Sequence, residues 1–188
     1  MQTDAKQKML NRLTNAKLVF ILGFDAMDLW RKPQYASLAR PSEILINNKS
    51  RGVPETLDIS VYRPLLDFPR QRKSSEDEFA KMLIRVLILD SFSIIEKYCE
   101  QTNQTALMRE QSWYNIAYHL RNCAGHNWKF QFKPWTLEKR FPAKWRGKEI
   151  PKSWGEPGNE QDWDLRYFTF DYIWELVKEM TSFAEKSL

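Results

Sequence analysis

Cysteine, histidine and long apolar runs are scarce in this chain of 188 residues, and each shortage excludes a class of protein. The two cysteines, Cys99 and Cys123, lack the spacing of a disulfide-stabilised secreted domain, so free thiols in a reducing, cytoplasmic compartment are expected. Two histidines without a cysteine pair or carboxylate cluster predict no metal site, and nothing predicts another cofactor. The longest apolar run, the seven residues Leu18–Phe24, is too short for a membrane helix of roughly 20 residues, so no membrane partner is expected.

Apolar and aromatic residues are abundant. Hydrophobic residues make up 43% of the chain and aromatic residues 14%, which is enough to build a core and argues against disorder. The length fits one domain, residues 1–188. A net charge of +5 favours an acidic partner such as nucleic acid but is too small to establish one.

Apolar residues at three- and four-residue spacing predict long helices. The first belongs to an N-terminal helical segment, residues 1–30. The second begins near Glu76, where Ser75 and Glu78 form a capping box, and ends at Gln101. A third helix follows the polar link 102–105, and because short links join antiparallel neighbours, we expect these two to form a central antiparallel pair. A last helix is predicted from about Thr169 to Lys186.

Two stretches lack helical spacing. Residues 31–75 contain five prolines and are predicted to be a connector with short elements, such as a helical turn after Ser42 or a strand at 57–61. Alternating apolar runs at 128–132 and 145–150 favour strands or a small hairpin. The predicted fold is therefore mainly α: a compact helical bundle, centred on residues 76–188, with a small β-hairpin or irregular insert before the last helix.

The strongest functional signal is Arg121-Asn122-Cys123-Ala124-Gly125-His126, at the end of the third helix. Gly125 is expected to end the helix in the left-handed conformation, and the chain reversal would bring His126 beside Arg121. Histidine exchanges protons near neutral pH, whereas arginine stays charged and holds phosphate. The pair suits RNA cleavage in which the 2′-hydroxyl attacks the adjacent phosphorus without a metal.

The segment from Leu120 to Asn127 resembles the HEPN superfamily signature of an arginine, a polar residue, three or more others and a histidine. The resemblance covers roughly residues 75–188, so that 76–188 would be a HEPN-like core. It implies a helical bundle, often a homodimer with both motifs facing a shared cleft, and in many members a metal-independent endoribonuclease. Such members frequently serve as toxins or in anti-phage defence, which implies a cognate antitoxin or inhibitor.

The resemblance also implies roles for the matching residues. Arg121 and His126 would be catalytic, and Asn122 would orient the histidine or bind phosphate, whereas His119 matches nothing in the signature. A subgroup of these toxins carries a tyrosine two residues after the histidine, which an antitoxin nucleotidyltransferase modifies. This chain departs from that pattern, because it has Trp128 there.

A basic segment follows the motif. Between Trp128 and Trp154, eight Lys and Arg residues stand against two Glu, a local charge of +6, so the rest of the chain is nearly neutral. Interleaved aromatic rings could stack on bases while the cations meet phosphates. Alternatively, the rings belong to the core and the charges form a solvated surface. The predicted RNA-binding residues are Lys129, Lys133, Arg140, Lys144, Arg146 and Lys148.

Two functions of different classes fit these residues. The first is a metal-independent endoribonuclease that cleaves RNA through Arg121 and His126. The second is a catalytically silent module of the same fold, which binds nucleic acid, a nucleotide or a protein and uses both side chains for structural hydrogen bonds. A nucleophilic role for Cys123 is disfavoured, because helical spacing directs its thiol into the core.

Overall fold

The computed structural model describes residues 2–32, 43–46, 55–58, 68–156 and 158–188. Within them the protein is mainly α, as the sequence predicts, with two small antiparallel sheets. The helices are α1 (Gln2–Arg31), α2 (Pro69–Gln101), α3 (Thr105–Arg109), α4 (Tyr114–Gly125), α5 (Pro134–Lys139) and α6 (Phe170–Ser187), with a 3₁₀-helix at Lys152–Gly155. The strands are β1 (Glu43–Ile46), β2 (Glu55–Asp58), β3 (Ala143–Trp145) and β4 (Lys148–Ile150).

The chain divides into two compact units, residues 1–20 with 83–188, and residues 21–82. The core of the larger unit takes one face from each of its four longest helical segments. Fully or nearly fully buried members are Met9 and Leu13 of α1, Ile84, Leu87, Ile88, Phe92 and Ile95 of α2, Ile116 and Leu120 of α4, and Ile173, Leu176 and Val177 of α6. Three- and four-residue spacing places each set on one side of its helix.

Helices α2 and α4 pack against each other around Phe92 and Leu89. Phe92 of α2 packs on Tyr114 near the start of α4, with ring centroids 5.7 Å apart. Earlier in α2, Leu89 lies beside Gly125 at the end of α4, where a Cβ added to the glycine would be 3.8 Å from the leucine Cδ2. The motif segment therefore ends its helix against the middle of α2.

The start of α2 differs from the prediction. The helix begins at Pro69, seven residues before Glu76, because proline fits the first helical turn, where its missing N–H leaves no bond unmade. Ser75 and Glu78 thus lie inside the helix and form no capping box, and Glu78 pairs with Lys81 at 2.7 Å instead. The third predicted helix is also divided in two, since a turn at 110–113 separates α3 from α4 and buries Trp113.

The smaller unit contains the described part of the connector. Strands β1 and β2 pair antiparallel, with Glu43 opposite Asp58 and Ile46 opposite Glu55. The helical turn predicted after Ser42 is therefore wrong, since Glu43–Ile46 is a strand whose isoleucines favour extended structure. The strand predicted at 57–61 is present but starts earlier, and its last three residues lie outside the described part of the chain.

The insert before α6 contains the predicted hairpin. Strands β3 and β4 are joined by Arg146 and Gly147, whose φ angles of 44° and 75° match a two-residue hairpin turn. The strand predicted at 128–132 is wrong, because this stretch forms only a single bridge, from Lys129 to Asp162. Sequence reasoning also missed α5, whose signal is proline at the helix start.

The last helix agrees closely with the prediction. Thr169 is its N-cap, and the Thr169 hydroxyl accepts a hydrogen bond from the backbone N–H of Tyr172 at 3.3 Å. Across the described residues, none of the helices combines the length and apolarity needed to span a lipid bilayer.

We expect Ile173→Ala to lower the free energy of unfolding by about 2–5 kcal/mol, because the side chain is fully buried in the core and its removal leaves a cavity. Lys186→Ala, at an exposed position of the same helix, should change it by less than about 0.5 kcal/mol. Urea denaturation followed by circular dichroism measures both values. Equal stabilities for the two variants would contradict the place of Ile173 in the core.

Candidate functional site

The motif lies where α4 ends and the chain reverses. The backbone N–H of His126 donates to the carbonyl oxygens of Asn122, at 2.9 Å, and Cys123, at 3.1 Å. The reversal follows at Asn127 and Trp128, whose φ angles of 53° and 66° are left-handed. Gly125 is the last helical residue and does not itself adopt a positive φ, so the predicted stop is in the right place but is made by the residues after it.

Arg121 is the most constrained member of the motif. Its Nη1 donates a hydrogen bond of 2.8 Å to Oδ1 of Asn122, and its Cζ lies 5.9 Å from the ring centroid of Phe92. The side chain is partly buried, and its buried Nε has no hydrogen-bond partner among the described residues. The guanidinium is therefore held by Asn122 through Nη1, while its Nε makes no hydrogen bond with a described residue.

His126 differs from Arg121 in being exposed to solvent. Within the described part of the chain, no hydrogen bond joins its imidazole to the Arg121 guanidinium, so the direct pairing expected from the chain reversal is not formed. Asn122 links the two residues instead, because its side-chain oxygen accepts from Arg121 and its backbone oxygen accepts from the His126 N–H. Asn122 thus orients Arg121. The resemblance implied instead that Asn122 orients the histidine or binds phosphate.

Sequence reasoning missed Glu96 on α2. Burial raises the pKa of the Glu96 carboxyl, while the positive charges of Arg121, Arg109 and Arg140 oppose that rise. No ion pair within 4 Å joins Glu96 to these arginines in the described residues. One signal was available: Glu96 lies four residues after Phe92 and so on the same face of α2 as the ring beneath Arg121.

His119 is a core residue and takes no part in this site. It is 1% exposed and lies against the rings of Phe141 and Phe132, with ring centroids 4.6 and 4.7 Å away. Burial lowers the pKa of His119 to about 4, so its ring is neutral at pH 7. Its Nε2 lies 3.2 Å from the backbone oxygen of Arg140, an acceptor, which assigns the ring proton to Nε2.

Both cysteines are buried, as helical spacing predicts. Burial raises the pKa of Cys99 to about 11 and also raises the pKa of Cys123, so both thiols stay protonated and unreactive near neutral pH. Over the residues that the structure describes, no group of three or more His, Cys, Asp or Glu side chains is placed to hold a metal ion.

The six predicted RNA-binding residues fall into different environments. Lys129, Lys133 and Lys144 are exposed, and their ammonium groups make no ion pair with any described residue. Arg146 instead donates to Glu175 at 3.1 Å and Glu179 at 3.3 Å, and its Cζ stacks 4.6 Å from the ring of Trp145.

Lys148 and Arg140 are also engaged within the protein. The Lys148 ammonium donates to the backbone oxygen of Tyr167 and lies 4.7 Å from that residue's ring centroid. The Arg140 guanidinium is partly buried against Tyr114 and Tyr118. The structure therefore leaves the three lysines as the free surface charges of the predicted set. Of these, Lys144 lines an open depression of about 630 Å³, together with Ser112 and residues 145–149.

Most aromatic residues of the basic segment belong to the core, as the alternative interpretation holds. Phe130 and Trp145 are buried, and four others pack partly buried against the core. Those four are Trp128, Phe132, Phe141 and Trp154. Trp135 is the remaining aromatic residue of the segment, and it is 45% exposed to solvent.

The environment of His119 predicts an acid-sensitive contribution to stability. Its folded pKa lies below the unfolded value, so the unfolded chain binds more protons between about pH 4 and 6.5, and stability falls as the pH drops through that window. We expect native protein to lose about 2–3 kcal/mol more than His119→Gln between pH 7 and pH 4, from the size of the shift. Denaturant titrations at both pH values measure this, and equal losses would contradict it.

No family model, no curated protein and no solved structure matches this chain.

Proposed function

We propose that the protein is a metal-independent endoribonuclease of the HEPN type, in which Arg121 and His126 act on a phosphodiester of RNA. The observation that carries this proposal is the difference between the environments of Arg121 and His126 at the end of α4. Arg121 is partly buried and fixed by Asn122, while His126 is exposed one turn after Asn122 and has no hydrogen bond from its ring to another described residue. A restrained cation and a solvent-accessible base, five residues apart in the chain, are the two groups that this chemistry uses.

In the proposed reaction, a ring nitrogen of neutral His126 accepts the proton of a ribose 2′-hydroxyl. The 2′-oxygen forms a bond to the adjacent phosphorus, and the bond from phosphorus to the 5′-oxygen breaks. The proton is returned, directly or through solvent water, to the departing 5′-oxygen. The products are a 2′,3′-cyclic phosphate and a 5′-hydroxyl, with no net gain or loss of protons.

Arg121 would stabilise the negative charge that builds on the phosphate oxygens during this reaction. Its guanidinium stays charged at every relevant pH, and its free N–H groups can donate to two phosphate oxygens at once. The hydrogen bond to Asn122 and the contact with Phe92 restrict the side chain before substrate arrives. Such preorganisation avoids the cost of arranging the donor during the reaction.

RNA would approach over the surface beside the motif. Lys129 lies three residues after His126, and Lys133 and Lys144 add exposed positive charge in the same segment. These lysines supply sequence-independent attraction for the backbone, and the exposed ring of Trp135 offers a stacking partner for a base.

The proposal extends to the cellular setting. The two cysteines favour the cytoplasm, and the resemblance implies a homodimer whose two motifs face a shared cleft and which acts as a toxin or anti-phage effector. A cognate inhibitor would then restrain it. Because Trp128 has no hydroxyl, we propose that such an inhibitor acts by binding and not by nucleotidylation of a tyrosine at this position.

A second candidate function is a catalytically silent module of the same fold. It is favoured by one observation, that no hydrogen bond in the described residues couples the His126 ring to Arg121. In that case the guanidinium is a structural group held by Asn122, and the exposed lysines bind RNA without cleaving it.

We expect purified native protein to cleave structured RNA in the presence of chelator and to leave 2′,3′-cyclic phosphate ends. His126→Ala should lower the rate by about 10²–10⁴, the usual contribution of a general base, and Arg121→Ala should lower it as well. Lys186→Ala, an exposed substitution on α6, serves as the matched control and should cleave like native protein. Gel analysis of the products and mapping of their 3′ ends give the measurement.

Intact RNA with folded native protein would favour the silent module. Cleavage that survives both His126→Ala and Arg121→Ala would exclude the proposed site and indicate a contaminating nuclease. Expression in a host adds an independent readout: growth arrest by the native chain that Arg121→Ala relieves, at equal soluble yield, supports the enzyme.

A further inference from the structure

Arg121 shares its aromatic surroundings with a second arginine, Arg140. The rings of Phe92, Tyr114 and Tyr118 form one cluster, in which Phe92 lies 5.7 Å from Tyr114 and 6.3 Å from Tyr118. Arg121 lies over Phe92 at 5.9 Å, and Arg140 lies over Tyr114 at 5.0 Å and Tyr118 at 5.2 Å. Two guanidinium groups from different parts of the chain therefore contact rings of the same aromatic cluster.

Both guanidinium groups are partly buried and incompletely bonded. The Nε atoms of Arg121 and Arg140 are each shielded from solvent, and neither has a hydrogen-bond partner among the described residues. No described carboxylate lies within ion-pair distance of either group. Stacking on aromatic rings attracts a cation but does not satisfy its N–H donors, and a buried donor without a partner costs free energy.

The nearby acid does not neutralise the pair. Glu96 is close enough for both arginines to influence its pKa, yet burial has the larger effect and raises that pKa, and no ion pair forms. Glu100 and Arg109 also act on this carboxyl, so even with both carboxylates ionised, three arginines against two carboxylates leave a positive charge. An added anion would meet donors that no described carboxylate engages.

Arg140 is also held at a fixed position by its backbone. Its N–H donates to the carbonyl oxygen of Thr136 at 2.9 Å, and its own carbonyl oxygen lies 3.2 Å from Nε2 of buried His119. The backbone is fixed by α5 and by the core, and the contacts with Tyr114 and Tyr118 restrict the guanidinium itself. A ligand would meet a group that loses little freedom on binding.

We propose that Arg121 and Arg140 form a two-arginine site for a phosphate group of the RNA backbone, with Arg140 as a phosphate-binding residue separate from the surface lysines. Two guanidinium groups present paired N–H donors that match the oxygens of a phosphate. The exposed ring of Trp135 lies 6.2 Å from Tyr118, at the edge of the cluster, where the base of the same nucleotide can stack. The inference rests on the proposed function in naming RNA, but the site itself is testable without cleavage.

The test is a binding measurement with full-length protein and two probes that cannot be cleaved, inorganic pyrophosphate and an octamer of deoxythymidine. Calorimetry should detect both probes with native protein. Arg140→Gln should weaken binding by about tenfold or more, since hydrogen bonds to charged groups contribute roughly 1.5–3 kcal/mol. Arg12→Gln makes the same charge change at an exposed position of α1 and should alter binding by less than about twofold.

Arg140→Lys is the control that separates weaker binding from a loss of folding. Lysine keeps the charge above the tyrosine rings but lacks the planar fork, so we expect the melting temperature to stay near that of native protein while probe binding falls several-fold. Unchanged binding by Arg140→Gln, or an equal loss in Arg12→Gln, would overturn the site. Weakened binding of the octamer alone, with pyrophosphate unaffected, would also overturn it, because the phosphate is the group it is built to hold.

Binding and catalysis remain separable in this design. Neither probe has a 2′-hydroxyl that could attack a phosphorus, so binding is measured with no reaction taking place. Probe binding that depends on Arg140, without any RNA cleavage, would contradict the proposed enzyme and support the phosphate site. RNA cleavage and probe binding that both stay native-like in Arg140→Gln would support the enzyme and contradict the phosphate site.

Discussion

The packing of Phe92 against α4 is the contact on which the rest of the candidate site depends. This fully buried ring contacts Tyr114 and Tyr118 and lies beneath the guanidinium of Arg121. It fixes how far α4 can slide along α2, because an aromatic ring fits only between particular neighbours in a close-packed core. The position of Arg121 relative to Glu96, one turn further along α2, follows from that register.

Local patterns were enough to predict the long helices but not the short helix α5 or all of the helix ends. The spacing of apolar residues and a threonine N-cap determine α6, and the two residues with positive φ at the β3–β4 turn determine the hairpin. The turn before Tyr114 escaped prediction because no proline or glycine marks it, and the burial of Trp113 against Phe183 is a tertiary effect. The capping-box prediction failed because the sequence before Ser75 is equally able to continue the helix toward Pro69.

The candidate site also contains some residues that the sequence predicts and others that it does not. Arg121, Asn122 and His126 lie within six residues, so a motif could identify them. The packing of α2 on α4 brings Glu96 near Arg121, and the position of α5 brings Arg140 to the same aromatic cluster, neither of which sequence spacing encodes. The motif separates His126 from His119 in the sequence, but the burial of His119 among phenylalanine rings required the structure.

Arg140 and Arg146 show why a cluster of positive charges in a sequence overstates the surface available to RNA. Both belong to the same basic segment and both stack on aromatic rings. Arg146 is exposed and bonded to Glu175 and Glu179, so its donors are satisfied and RNA would have to compete with two carboxylates. Arg140 is partly buried, and no described carboxylate pairs with its guanidinium, so an anion at the accessible end of that group displaces no existing ion pair. A residue's unused donors, more than its charge, therefore indicate where a phosphate would bind.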